Sequence, residues 1–132
     1  MPIPSAVGRV HGTVMLVEAV SLALAAVVHL GHRIPLGSFV VAGERATFTA
    51  VVELVIAALL ASGGLAVLSA TLRARLFAAM VTLLAIVGAI IGLVTISLGT
   101  GPRTIPDLAY DIVIMVVLLV SFAVLLGRRR PR

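Results

Sequence analysis

The chain has 132 residues, of which 61% are hydrophobic and 11% charged, with a net charge of +5 and a mean hydropathy of +1.28. Such a composition excludes a soluble domain with a wetted surface and describes an integral membrane protein. With no cysteine, disulfides, thiolate metal sites, iron–sulfur clusters and thiol redox chemistry are excluded together.

At roughly 20 residues per spanning helix, four spans and short connections fill the length and leave no room for a soluble domain. Any chemistry is therefore expected inside a bundle. The fold expected is all-α, a single four-helix transmembrane domain over residues 1–132. Helices are required because unpaired backbone groups cannot face lipid, so the Val/Ile-rich third run is not read as a strand.

The first apolar run covers residues 12–31. Arg9 ahead of it and Ala23-Leu24-Ala25 within it give the look of a secretion signal, but the run is too long and ends in His29-Leu-Gly-His-Arg33 rather than at a cleavage site, which reads as a retained anchor. It carries two polar groups, Glu18 and His29. They lie on nearly the same helical face about 16 Å apart along the axis, and Ser21, one turn above Glu18, is placed to share a hydrogen bond with it. A charge at mid-bilayer costs about 2.5–3.5 kcal/mol on insertion scales, so such groups usually face a protein interior and carry a function.

Residues 32–47 follow as a polar connection whose stretch Ile34 to Arg45 is too apolar for a solvated loop and too short to span. It is expected to lie along the interface or fold over the bundle mouth. The second run, 48–70, holds Glu53 about 9 Å inside its start, and Ala57, Ala61 and Gly64 form a small-residue face. Thr71 to Arg75 reads as a minimal turn with Arg73 and Arg75 as anchoring charges.

The third run, 76–99, carries Gly88 and Gly92 as a small-xxx-small packing face beside Ala85 and Ala89, within the molecule or between two copies. Gly99, Gly101 and Pro102 end it. Thr104-Ile-Pro-Asp107 then has the pattern of a capping box opening the fourth run, 108–126, so Asp107 is read as a cap. The same punctuation positions Tyr110 and Asp111. Arg128, Arg129 and Arg130 close the chain as a stop-transfer anchor able to attract anionic lipid headgroups at about 1 kcal/mol per arginine. With no interleaved aromatics, these arginines do not suggest nucleic acid as a partner. Met15, Met80 and Met115 read as gap-filling residues.

Four spans put both termini on one side. Arg9, Arg73, Arg75, Arg128, Arg129, Arg130 and Arg132 fall there, against Arg33, Arg45 and Arg103 opposite. The positive-inside rule places that side in the cytoplasm, and residues 32–47 and 100–107 outside.

By depth, His29, Glu53 and Asp111 share one outer-leaflet level, where Tyr110, His32 and the outer arginines can join them. A histidine nitrogen with two carboxylates suits a divalent cation, and the same set suits a proton relay, a polar headgroup or a small solute. It also suits structural pairing that holds the helix ends together. No nucleophile–base pair or cofactor motif points to an enzyme.

Two resemblances bear on function. A lone acid in a first transmembrane helix, here Glu18, resembles the small multidrug transporters, in which such a glutamate exchanges protons for cationic solutes; the aromatic-rich cavity of that family has no counterpart among four Phe, one Tyr and no Trp. The chain as a whole resembles small four-span membrane proteins of unknown function from high-GC bacteria, through His29-Leu-Gly, Ile34-Pro-Leu-Gly37, Val52-Glu53, and Gly101-Pro102-Arg103 before Asp107-x-x-Tyr110. It is similar in size and topology to DoxX-like four-helix proteins. That resemblance implies a multi-pass protein of the bacterial cytoplasmic membrane and no particular activity or cofactor. The expected function is an accessory or interaction subunit, with lipid, a membrane protein or a second copy as partner. The alternative is a ligand-handling protein, either a proton-coupled transporter or a metal or quinone binder, using Glu18 and the outer cluster.

Overall fold

A computed structural model of the chain describes residues 6–43, 45–69, 71–99 and 104–127. Four helices account for nearly all of them: α1 (Ala6–His29), α2 (Thr47–Val67), α3 (Leu72–Ser97) and α4 (Ile105–Gly127). Each is long and apolar enough to cross a membrane. The backbone satisfies itself within each helix, which is the condition for burial in hydrocarbon.

The helices extend beyond the apolar runs at several ends, because a helix does not stop where hydrophobicity does. α1 starts at Ala6 and takes in Arg9 and His11. The expected turn at Thr71–Arg75 is instead the opening of α3: the Thr71 hydroxyl accepts a hydrogen bond from the Ala74 amide at 3.1 Å and caps the helix, so Arg73 and Arg75 stand on its first turns. The α4 cap forms as its sequence pattern indicates. Thr104 Oγ1 accepts from the Asp107 amide at 3.3 Å and donates to the Asp107 carboxylate.

α1 packs along α2, α2 along α3 and α3 along α4, while α1 and α4 touch only slightly. The α1–α2 seam is tight because glycines let the backbones meet. A methyl group added at Gly12 would come within 3.0 Å of the Gly64 carbonyl oxygen, and one added at Gly64 within 3.0 Å of the Gly12 carbonyl oxygen. At Gly63 it would meet Val81 Cγ2 at 2.5 Å and Met15 Cε at 2.7 Å, which locks three helices together. The core is centred on Met15, Leu60, Val81 and Leu118, all fully buried. Valine, leucine and isoleucine side chains cover the outward faces.

Gly88 and Gly92 do not act as a pair. A methyl group at Gly88 would fall 2.5 Å from Ile56 Cδ1, so this glycine does serve close packing, of α3 on α2 within the chain. Around Gly92 nothing lies within 4 Å; it borders open space, because the helices have diverged by this level.

α1 ends in a Schellman turn. Gly31 adopts φ 91°, its amide donates to Val28 O at 2.9 Å, and the His32 amide donates to Val27 O at 3.2 Å. The connection to α2 is a short antiparallel hairpin of β1 (Ile34–Leu36) and β2 (Phe39–Val41), with Leu36 opposite Phe39 across Gly37-Ser38. The Ala46 amide donates to His29 O at 2.8 Å and closes the excursion at its base. That bond fixes the end of α1 against the start of α2. Gly101, Pro102, Arg103, Arg128, Arg129 and Arg130 lie outside the described residues.

Candidate functional site at the hairpin end of the bundle

The polar groups of the spans concentrate at the end that carries the hairpin. His29, on the last turn of α1, donates from Nδ1 to Glu53 Oε2 of α2 at 2.8 Å, and the two side chains are only 7% and 8% exposed. The Ala46-to-His29 backbone bond sets this pairing, since it fixes α2 so that Glu53, two turns on, arrives level with the imidazole. The other ring nitrogen, Nε2, is buried and has no hydrogen-bond partner among the described residues. It points toward Asp107 Oδ1 of α4, 3.7 Å away.

Asp107 is thus both a helix cap and the third member of the cluster, a role the sequence reading did not give it. A usable signal was there: Asp107, Tyr110 and Asp111 stand at i, i+3 and i+4 on one helical face. His32 lies beyond the end of α1 and is exposed.

A cavity of about 290 Å³ opens between α1 and α4, where those helices fail to close. His29, Asp107, Asp111 and Tyr110 form its polar end, Leu24, Val28 and Ile96 are among its apolar walls, and Ile34 and Val41 of the hairpin cover the top. The connecting segment therefore folds over the bundle mouth. A second cavity of about 40 Å³ sits between α2, α3 and α4, with Glu53 and Asp111 among its lining residues. Asp111 and Gly92 border both.

Below the cluster, Ser21 of α1 and Tyr110 of α4 bridge the open seam with an oxygen–oxygen distance of 3.0 Å. The Ser21 hydroxyl donates to the main-chain carbonyl of Glu18 at 3.0 Å. Its single proton is then committed, so Tyr110 donates to Ser21 and keeps its oxygen lone pairs for the cavity. The expected bond from Ser21 to Glu18 thus reaches the backbone and not the carboxyl. Both carboxyl oxygens of Glu18 are buried with no hydrogen-bond partner among the described residues.

The metal site expected from His29, Glu53 and Asp111 does not assemble. Among the described residues no group of three His, Asp or Glu side chains is arranged to hold a metal ion. Nδ1 is spent on Glu53, and Nε2 faces Asp107 instead of Asp111.

Arg75 has a structural task besides its charge. Its Nε donates to the Leu125 carbonyl at 2.8 Å, which satisfies an orphan acceptor at the end of α4 and sets a cation at the negative pole of that helix. With Gly12 against Gly64 at the same end, this fixes the start of α1, the end of α2, the start of α3 and the end of α4 together, away from the hairpin.

Fold and site define a multi-pass membrane protein of four helices with a buried polar cluster at the mouth of a lateral cavity. Comparison with protein-family models, with curated proteins and with solved structures gave no match.

Proposed function

We propose that the protein is a ligand-handling membrane protein that holds an amphiphilic molecule in the cavity between α1 and α4, with its chain along the apolar walls and its polar head at His29, Asp107 and Asp111. The observation that carries this reading is His29 Nε2. It is a buried nitrogen with no hydrogen-bond partner among the described residues, set at the polar end of a cavity large enough for a small amphiphile. A buried polar atom left unpaired costs about 1–3 kcal/mol, and a ligand that reaches it removes the cost. The slight contact between α1 and α4 supplies the entry, since an acyl chain can slip in sideways from the bilayer.

In this reading the protein sits in a bacterial cytoplasmic membrane with both termini inside and the hairpin outside. The support is the placement of Arg9, Arg73 and Arg75 at the end away from the hairpin. An accessory-subunit role rests on the exposed apolar faces of α3 and α4, which lipid covers equally well.

Native mass spectrometry of protein extracted from membranes in mild detergent tests the proposal. The wild type is expected to carry a non-covalent adduct, and Gly92→Leu, which projects into the cavity from a position with no atom within 4 Å, is expected to lose it without loss of folding. An unadorned wild-type mass, or an adduct retained by Gly92→Leu, overturns the reading.

A further inference from the structure

The polar end of the cavity is one-sided in its hydrogen-bonding chemistry. The Ser21 hydroxyl is spent on the Glu18 carbonyl, and the Tyr110 hydroxyl on Ser21. His29 Nδ1–H donates to Glu53. What these groups turn toward the cavity is oxygen lone pairs, joined by the Asp107 and Asp111 carboxyl groups and, on the neutral imidazole, by the lone pair of Nε2. Among the described residues, no arginine lines the cavity. Among the described lining residues the two acidic side chains, Asp107 and Asp111, outnumber the one imidazole.

An acceptor-rich, acidic head site on top of apolar walls selects its ligand by complementarity. A carboxylate or phosphate head would face the Asp107 and Asp111 carboxyl groups, with the Thr49 hydroxyl as its donor among the described lining residues, and a ketone or ether would depend on that same hydroxyl. A protonated amine offers up to three donors and a positive charge in a small volume. We infer that the ligand held between α1 and α4 is a lipophilic amine, an ammonium head seated among Asp107, Asp111, His29 and Tyr110 on an aliphatic chain that lies against Leu24, Val28 and Ile96. This inference rests on the proposed amphiphile site and specifies its head chemistry. Glu18 plays no part in it, because it is not among the residues lining this cavity.

Tyr110 is the only tyrosine, and the chain has no tryptophan, so its emission reports directly from the cavity. Titrating the protein in dodecyl maltoside micelles with decylamine, decyltrimethylammonium, decanol and decanoate compares one chain under four heads. Decylamine is expected to bind at least about tenfold more tightly than decanol, as charge-assisted hydrogen bonds require. Decyltrimethylammonium, charged but without donors, is expected in between, and decanoate is expected not to bind. Asp111→Asn is expected to weaken decylamine by about tenfold with helical circular dichroism unchanged, which verifies that the variant is folded. Decanol binding as tightly as decylamine, or Asp111→Asn leaving the preference intact, overturns the amine assignment and spares the amphiphile site. Binding of none of the four overturns both.

Discussion

The imidazole of His29 and the carboxylate of Glu53 form a buried pair 2.8 Å apart that joins the end of α1 to the start of α2. The pair lies next to the Ala46–His29 bond that closes the hairpin segment, so it helps hold the mouth of the cavity in shape. Removing one partner of a buried hydrogen-bonded pair leaves the other unsatisfied, at a cost of up to about 3 kcal/mol. Glu53→Ala is expected to lose about that much, and Glu53→Gln, which keeps an acceptor for Nδ1–H, about 1 kcal/mol. Unfolding by SDS titration in mixed micelles, followed by helical circular dichroism, measures both. The His29→Ala/Glu53→Ala double variant is expected to cost less than the sum of the single ones, and strict additivity would count against the pair.

The glycines of the tight seam are expected to rank differently from their order in sequence motifs. Gly63→Ala would drive a methyl into Val81 and Met15, and Gly64→Ala into a backbone carbonyl. Each is expected to lose about 1–3 kcal/mol by overpacking. Gly88→Ala is expected to cost less, because Ile56 Cδ1 is the free end of a side chain. Gly92→Ala meets open space and is expected to stabilise by a few tenths to about 1 kcal/mol through helix propensity. The same SDS titration tests the order; a Gly92→Ala variant as damaged as Gly63→Ala would show that a surface outside the chain covers this position.

Arg73 and Arg75 are equivalent as topology signals but not as contacts. Only Arg75 reaches Leu125 O across the α3–α4 interface. Arg75→Gln is expected to lose about 1–2 kcal/mol of stability, from a charge-assisted hydrogen bond and its favourable place at a helix C-terminus. Arg73→Gln is expected to be silent in the same unfolding assay.

Hydrocarbon made the four helices legible, because a backbone that must satisfy itself over about 30 Å has few other options. The helix ends were less legible, since polar residues such as Arg9 and Thr71 continue or cap a helix as readily as they end one. The level of His29 and Glu53 followed from the rise per residue alone. The exchange of Asp107 for Asp111 beside Nε2 did not, as it depends on the rotation of α4 about its axis, which the slight α1–α4 contact leaves to α3 and the Thr104 cap. Glycine spacing signalled close packing but not with which neighbour: Gly88 meets Ile56 while Gly92, one turn on, faces the cavity.

Glu18 gives a prediction of opposite sign to that for Glu53. It is 4% exposed, and neither carboxyl oxygen has a hydrogen-bond partner among the described residues, so burial of this polar group is not compensated within the helices that surround it. Replacing it with an apolar side chain of similar length removes a desolvation cost of about 1–3 kcal/mol. Glu18→Met is accordingly expected to raise stability in SDS titration by about 1–2 kcal/mol. Glu18→Gln is expected to gain less, because the amide brings donors that are also left unpaired. Since the residue does not line the cavity at the hairpin end, the adduct seen by native mass spectrometry is expected to persist in Glu18→Met. A loss of stability in that variant would mean that the carboxyl group has a partner in the membrane-embedded protein, and a loss of the adduct would extend the ligand site about one turn deeper into the bundle than Ser21 and Tyr110 define it.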